Sequence, residues 1–346
     1  METIDNSKWV NVWERAKRSQ CAFNFFIGAR GTGKTYGALL HQHEDFFAET
    51  CGKYIYMRIT QTELDTCATK EDNPYKKLNK RMLWDVNFKS IPKADSYTIS
   101  DGNTPIGTGR ALATFGNVRG SDFSDYTHIV FDEFAPAERV RKTPEIKTAG
   151  YLFSQAYETI NRNRELEGEP PVIAILLANA FRLDSDVLYY YGLIPVIESM
   201  LKSGQKRCTM RDRSIYVELC DAPEVTEAKR ETVLYKALKG NKHIENINLN
   251  NKFNDYNLTL VKKVPLSEYL PLVCIEDITI YAHKSTGIYY ARMGIETCKE
   301  MYDQKGRGIF CTRWRPIIKS AIMERTIYAD NAHTLYKLQD IINSPI

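Results

Sequence analysis

No two cysteines in this 346-residue chain stand at C-x-x-C spacing, and no Cys/His group falls at the intervals of a zinc site. The eight cysteines (Cys21, Cys51, Cys67, Cys208, Cys220, Cys274, Cys298, Cys311) are scattered singly and read as reduced, mostly buried thiols. Long apolar runs are missing as well. The run that starts at Val172 ends before Asn179, far short of the about 20 residues that span a bilayer. The N-terminal segment METIDNSKWVNVWERAKRS is polar and carries acids early, unlike a secretion signal. These absences predict a soluble intracellular protein with no membrane partner. A strong charge imbalance is also lacking. Lys and Arg number 47 against 43 acids, for a net +4, which excludes a histone-like binder and leaves any basic surface to local clustering. There is no internal repeat and no low-complexity tract.

What is present is ordinary globular chemistry, 43% hydrophobic and 26% charged, enough for one large core and a smaller one. CAFNFFIG (residues 21–28) reads as a buried strand, residues 34–47 as a helix and YIYMRI (54–59) as a second strand. KEDNPYKKLNKR (70–81) reads as a solvated excursion. Asp101-Gly102-Asn103 between SYTIS and ALATF has the turn chemistry of a hairpin. HIVF (128–131) and VIAILLANA are further buried strands, with a helix from Thr148 between them. Apolar strands alternating with helices predict an α/β fold with a mainly parallel sheet. The pattern changes near Asp221. Residues 1–220 read as one domain, 221–255 as a helical linker and 256–346 as a small α+β domain, in which NLTLVKK, ITIYAH, GIYYARM and GIFCTRW are short strands before a final helix.

Gly28-Ala29-Arg30-Gly31-Thr32-Gly33-Lys34-Thr35 fits G-x-x-x-x-G-K-[ST] in full. It follows a buried strand and opens a helix, as a phosphate-binding loop must. Its glycines let successive N–H groups turn inward, and the helix N-terminus adds positive potential. Lys34 would reach the β- and γ-phosphates of ATP, and Thr35 would ligate Mg²⁺. The strand ending in Asp132-Glu133 places two carboxylates where ligands bind in open α/β sheets, Asp132 for the Mg²⁺ shell and Glu133 for the attacking water. A catalytic Glu directly after the metal acid is typical of ring-forming additional-strand, catalytic-glutamate (ASCE) ATPases. In that class VIAILLANA would lie between the P-loop and acidic strands, with Asn179 beside the γ-phosphate or merely capping its turn. Arg162, in the NRNR run at a helix end on the catalytic side of the sheet, is either a finger for a neighbouring subunit or an offset to the helix dipole. Arg119, in NVRGSDF, is equally open, and Arg30 either touches phosphate or faces solvent. Lys76, Lys77, Lys80 and Arg81, near Tyr75 and Trp84, form either a nucleic-acid contact or a solvated face.

In this order, NFFIGARGTGKTYG, YIYMRITQTEL, HIVFDEF and NRNRE…LLANA closely resemble the genome-packaging (encapsidation) ATPases of small podophages, the phi-twenty-nine-like group. The resemblance continues weakly through LNNKF (249–253) and covers most of the chain. It implies a motor that pushes double-stranded DNA into a preformed capsid, built as a ring of usually five subunits. The ring docks on the portal in the host cytoplasm, in some members with a structural RNA. It matches Lys34 and Thr35 to the family's nucleotide loop, Asp132 and Glu133 to its metal and catalytic acids, Arg162 to its trans-acting finger and Asn179 to its coupling asparagine. Arg119 falls where the family has a trans-acting lysine. The family's C-terminal domain resembles an RNase H-like nuclease that has lost its metal site. Consistent with that loss, ITIYAHKSTGIYYARM carries no acid inside its strands, and Glu276 and Asp277 lie only at its edge. Arg313, Trp314 and Arg315 are open between contact with RNA and packing. Two other readings stand beside the motor: a helicase or AAA+-type remodeller, whose lid domain is not visible, and an assembly protein with a vestigial nucleotide site, which need not keep Glu133.

Overall fold

Strands whose side chains are buried on both faces need helices on either side, and the first part of the chain alternates the two. The computed structural model describes residues 9–92, 94–118, 121–135, 144–179, 183, 185–220, 223–237 and 259–343. The chain divides into two compact units. The first is Met1–Phe181, Ser185–Tyr191 and Ser199–Phe253, and the second is Arg182–Asp184, Gly192–Glu198 and Asn254–Ile346.

In chain order the first part contains α1 (Val12–Ser19), β1 (Phe23–Gly28), α2 (Lys34–Phe47), β2 (Lys53–Arg58), α3 (Gln61–Cys67), α4 (Lys76–Met82) and the strands β3 (Val86–Ile91), β4 (Ser96–Asp101) and β5 (Thr104–Ala111). Then come β6 (Tyr126–Asp132), α5 (Pro144–Lys147), α6 (Ala149–Asn161), β7 (Ile173–Asn179), α7 (Asp186–Tyr190), α8 (Ile194–Ser203), β8 (Arg207–Met210), β9 (Ile215–Cys220), α9 (Pro223–Arg230) and α10 (Val233–Ala237). One nine-stranded sheet runs β3-β4-β5-β2-β6-β7-β1-β9-β8. From β5 to β9 neighbouring strands are parallel, with antiparallel edges at either side. The sheet is the mainly parallel one expected, and β7 lies between β1 and β6 as the additional-strand class requires. All the parallel strands therefore deliver their C-termini to one edge.

Four readings of the sequence need correction here. The hairpin turn is where expected, but its returning strand is β5, ahead of ALATF, whose residues from Leu112 form a 3-10 helix. Pro105, Gly107 and Gly109 hide the β pattern of β5. Residues 70–81 are not a wholly solvated excursion: α4 begins at Lys76, and Tyr75 and Leu78 are fully buried. β8 and β9 go unread in the sequence, because buried Glu218 interrupts an otherwise apolar strand; Arg15, Arg207 and Tyr216 satisfy that carboxylate. GIFCTRW is helical, as described below. The expected linker is described only over Pro223–Ala237, where it is helical, and LNNKF lies outside the described residues.

The second unit is α+β. β10 (Tyr269–Ile275), β11 (Ile278–His283) and β12 (Tyr289–Met293) form an antiparallel meander; β13 (Glu300–Tyr302) adds parallel to β10 and β14 (Ile327–Ala329) parallel to β12. Its core takes in Phe310, Cys311, Trp314 and Ile318 from α11 (Arg307–Met323) and Leu335, Leu338 and Ile341 from α12 (Ala332–Asn343). GIFCTRW thus opens a helix, its Trp314 packed in the core with Nε1 donating to Glu300 Oε2 at 3.1 Å. Of NLTLVKK the described residues make one bridge, Val261 to Ala329. Residues 192–198 belong here because the buried Glu198 carboxylate accepts from Ala332 N at 3.0 Å.

In the first unit, Tyr54 and Tyr75 share a buried Oη–Oη hydrogen bond of 2.7 Å that ties the start of α4 to β2. Tyr75→Phe leaves the Tyr54 hydroxyl buried without this partner, so it lowers the free energy of unfolding by about 1–3 kcal/mol. Urea denaturation would read this as a lower midpoint at an unchanged slope, and an unchanged midpoint would show that the pair adds nothing.

Candidate active site

β1 ends at Gly28 and α2 starts at Lys34, with Gly33 as its N-cap at φ 88° and Gly31 at φ 72°. Both glycines occupy the left-handed region that L side chains adopt only at a cost. Gly28 is required for another reason: a Cβ there would stand 2.6 Å from Cys220 O, so β1 could not lie this close to β9. Lys34 is buried, and its Nζ donates to Gly28 O at 3.1 Å and Ala29 O at 2.9 Å. The ammonium is thereby carried inside the curl of the loop.

β6 delivers Asp132 to the same edge. Thr35 Oγ1 donates to its Oδ1 at 2.9 Å, Tyr56 Oη donates to its Oδ2 at 3.0 Å, and Arg58 Nη1 lies 3.6 Å from Oδ2. With Asp132 only 7% exposed, burial pushes its carboxyl above the ordinary range and the neighbouring Glu133 adds to the rise, while Arg58, Thr35 and Tyr56 act against it. Glu133 sits at φ 55°, its Oε2 accepting from Arg58 Nη2 at 2.7 Å and its Oε1 3.5 Å from Asn179 Nδ2. Asn179 ends β7 between the two motif strands, which brings its amide to Glu133 at the same edge.

A cleft of about 410 Å³ joins these groups, within the usual range for a small-molecule site. Arg30, Gly31, Thr32, Gly33, Lys34, Thr35, Asp132, Glu133 and Asn179 all line it; Gly28 and Ala29 lie just behind, as acceptors for Lys34. The glycine turns of the loop, the N-terminus of α2 and the Lys34 ammonium suit a polyphosphate. The Thr35 hydroxyl and Asp132 carboxylate, 2.9 Å apart, form an oxygen donor pair that fits Mg²⁺. Among the described residues no group of three or more His, Cys, Asp or Glu could hold a metal by itself. Mg²⁺ bound with substrate phosphates needs only one or two protein carboxylates.

The sequence reading missed Arg58 and Tyr56, the groups that hold the two acids. Their only signal was a charged residue ending the apolar strand YIYMRI. Trp9, Tyr36, Lys77 and Arg81 also line the cleft; the last two were read as part of a basic stretch that either contacts nucleic acid or faces solvent.

Arg162 is not on the catalytic side of the sheet within its own chain, as expected above. α6 connects the parallel neighbours β6 and β7, so it must return to the edge where those strands begin. There Arg162 Nη2 donates to Ser121 O, and Arg164 Nη1 donates to Ser124 O and Tyr126 O at the start of β6. Asp132 ends the same strand, about 20 Å away by strand rise. Arg119 lies outside the described residues.

A family model described as the podovirus DNA encapsidation protein (Gp16) matches residues 4–344. The DNA packaging protein of Bacillus phage B103 is 25% identical over 254 residues, spanning 71% of this chain and 69% of the relative. Among solved structures, the bacteriophage Phi-29 viral genome packaging motor assembly superposes with a TM-score of 0.62 at 15% identity, over 97% of this chain and 99% of that one. The Phi-28 DNA packaging motor gives 0.60 at 14% identity, over 99% of each chain. At such identity the two structures establish a shared fold.

Asp132 gives a test of the site's electrostatics. Its carboxyl holds a proton more tightly folded than unfolded, so its contribution to stability is present below about pH 4 and is lost as pH rises through the raised folded value. The neutral isostere Asp132→Asn therefore raises Tm at about pH 8, with the gain shrinking toward about pH 4, while ATP hydrolysis is lost. Melting curves across that range decide it, and a variant less stable than the parent at the alkaline end would refute the account.

Proposed function

The chain belongs to the podovirus DNA encapsidation protein family, and we propose that it is the subunit of a ring that uses ATP to drive double-stranded DNA into a preformed capsid. The observation that carries this reading is the convergence at one sheet edge of a full phosphate-binding loop with Asp132, Glu133, Arg58 and Asn179. The loop amides and Lys34 bind the phosphates of ATP. Thr35 and Asp132 would hold Mg²⁺, which would supply positive charge to neutralise the phosphates. Glu133 orients the attacking water and accepts its proton, while Arg58 and Asn179 fix the position of its carboxylate. Arg162, at the opposite end of β6 from its own acids, serves the site of the next subunit in the ring, where its fork supplies charge to the transferring phosphate.

Five subunits docked on the portal in the host cytoplasm, some members with a packaging RNA, complete the reading carried by the family resemblance. The second unit acts without nuclease activity: Asp277 is paired with Lys337 at 2.6 Å, and Glu276 faces Arg307 at 3.7 Å.

Duplex DNA is expected to stimulate steady-state ATP hydrolysis, and Glu133→Gln to lower it by about 10²–10⁴-fold. Hydrolysis indifferent to DNA would remove the coupling from the proposal and leave an ATPase with another track. The trans arrangement has its own signature. Mixed Arg162→Ala and Glu133→Gln subunits should recover hydrolysis, because some interfaces pair an intact Glu133 with an intact Arg162. Purely additive loss would place Arg162 outside the neighbour's site.

A further inference from the structure

Beyond the groups that meet phosphate, the cleft is walled by Trp9, Tyr36, Lys77 and Arg81. Tyr36 follows Thr35 on the first turn of α2, so its ring begins where the phosphate-binding groups stop. Arg81 sets its guanidinium carbon 5.7 Å from the centre of the Tyr36 ring and its Nη1 3.5 Å from Tyr36 Oη. Trp9 stands against the loop: Val10 N donates to Thr32 O at 3.0 Å, and a Cβ on Gly33 would lie 2.9 Å from Trp9 Cβ. A second depression of about 280 Å³ shares Trp9 and Tyr36 and is floored by Gly37 and Leu40.

We propose that Tyr36 and Arg81, with Trp9 beside them, seat the base of the nucleotide, and that α4 is the arm that brings the guanidinium to it. The inference rests on reading the loop as a nucleotide site. Aromatic rings and a planar guanidinium both stack on a base through its π-face. The stacking surface is built in advance. Tyr75, at the N-cap of α4, is bonded to Tyr54, and Leu78 is buried. Asn79 Nδ2 donates to Val86 O at 2.9 Å and its Oδ1 accepts from Val86 N at 3.1 Å. A helix held at both its buried face and its polar side presents Arg81 at little ordering cost on binding. Lys77, four residues earlier on the same face, adds a second positive charge toward the ribose and first phosphate. Two of the four cations of the basic stretch, Lys77 and Arg81, thus face the cleft.

The test is the affinity of the full chain for ATP and for inorganic tripolyphosphate, measured calorimetrically with Mg²⁺ in a Glu133→Gln background that blocks turnover. The parent is expected to bind ATP more tightly than tripolyphosphate. Tyr36→Ala and Arg81→Ala each weaken ATP about tenfold, equivalent to about 1.4 kcal/mol, and leave tripolyphosphate within about twofold. Retained tripolyphosphate binding also shows that the variants fold. Tyr36→Phe, which keeps the ring, retains the parent's affinity for ATP. Unchanged ATP affinity in both alanine variants overturns the proposal. So does an equal fall for ATP and tripolyphosphate, which would assign these residues to the phosphates. A parent chain that binds neither probe defeats the nucleotide reading itself, whereas the two preceding outcomes leave it standing.

Discussion

A carboxylate buried at the tip of a strand must be satisfied by its neighbours, because little water reaches it and an uncompensated buried charge costs several kcal/mol. Asp132 is that group, and much of the first unit's arrangement follows from meeting its needs. Thr35 comes from α2, which follows β1, while Tyr56 and Arg58 come from β2 and reach the carboxylate because β2 and β6 are parallel neighbours ending at one edge. Arg58, buried in turn, balances its own charge against Asp132 and Glu133. One hydroxyl therefore ties the start of α2 to Asp132, and one guanidinium ties Asp132 to Glu133.

The same edge explains why the fold tolerates extensive sequence change. The Phi-29 assembly shares this architecture at 15% identity. Packing on a parallel sheet asks for apolar residues of suitable volume at many positions and for particular residues at few. The particular ones here are glycines where backbones nearly touch, as at Gly28 against Cys220, and polar groups that close the charge cluster.

What was legible in the sequence is what is local along the chain. The phosphate loop carries its strand, its turn glycines and its helix in one contiguous segment, and Asp132-Glu133 likewise closes its own strand. Arg58 was illegible because its meaning depends on which strand lies beside β2, a fact of topology rather than of spacing. The side of the sheet on which Arg162 falls was misread although topology could have given it: a helix joining adjacent parallel strands ends where they begin. GIFCTRW misled because seven residues rich in aromatic and β-branched types look like a strand. Its helical stripe, Phe310, Cys311, Trp314, Ile318 and Ala321, emerges only over a longer window, and Pro316 within it argued against a helix. β10 escaped notice because Pro271 breaks its pattern at the bulge where the ladder shifts register.

Glu133 holds its backbone at φ 55°, a conformation that costs a non-glycine residue about 1–2 kcal/mol. The bend is imposed from outside the residue: Phe134, fully buried, donates its N–H to Leu177 O at 3.1 Å and fixes the chain's exit from β6. Backbone conformation alone would favour glycine or asparagine at this position. Drift toward glycine in a lineage released from selection for turnover would relieve that strain while giving up the ion pair that Glu133 makes with Arg58. In the role proposed for Glu133, the acid marks a place where selection accepts backbone strain, and a relative carrying glycine there is expected to keep the fold without the activity.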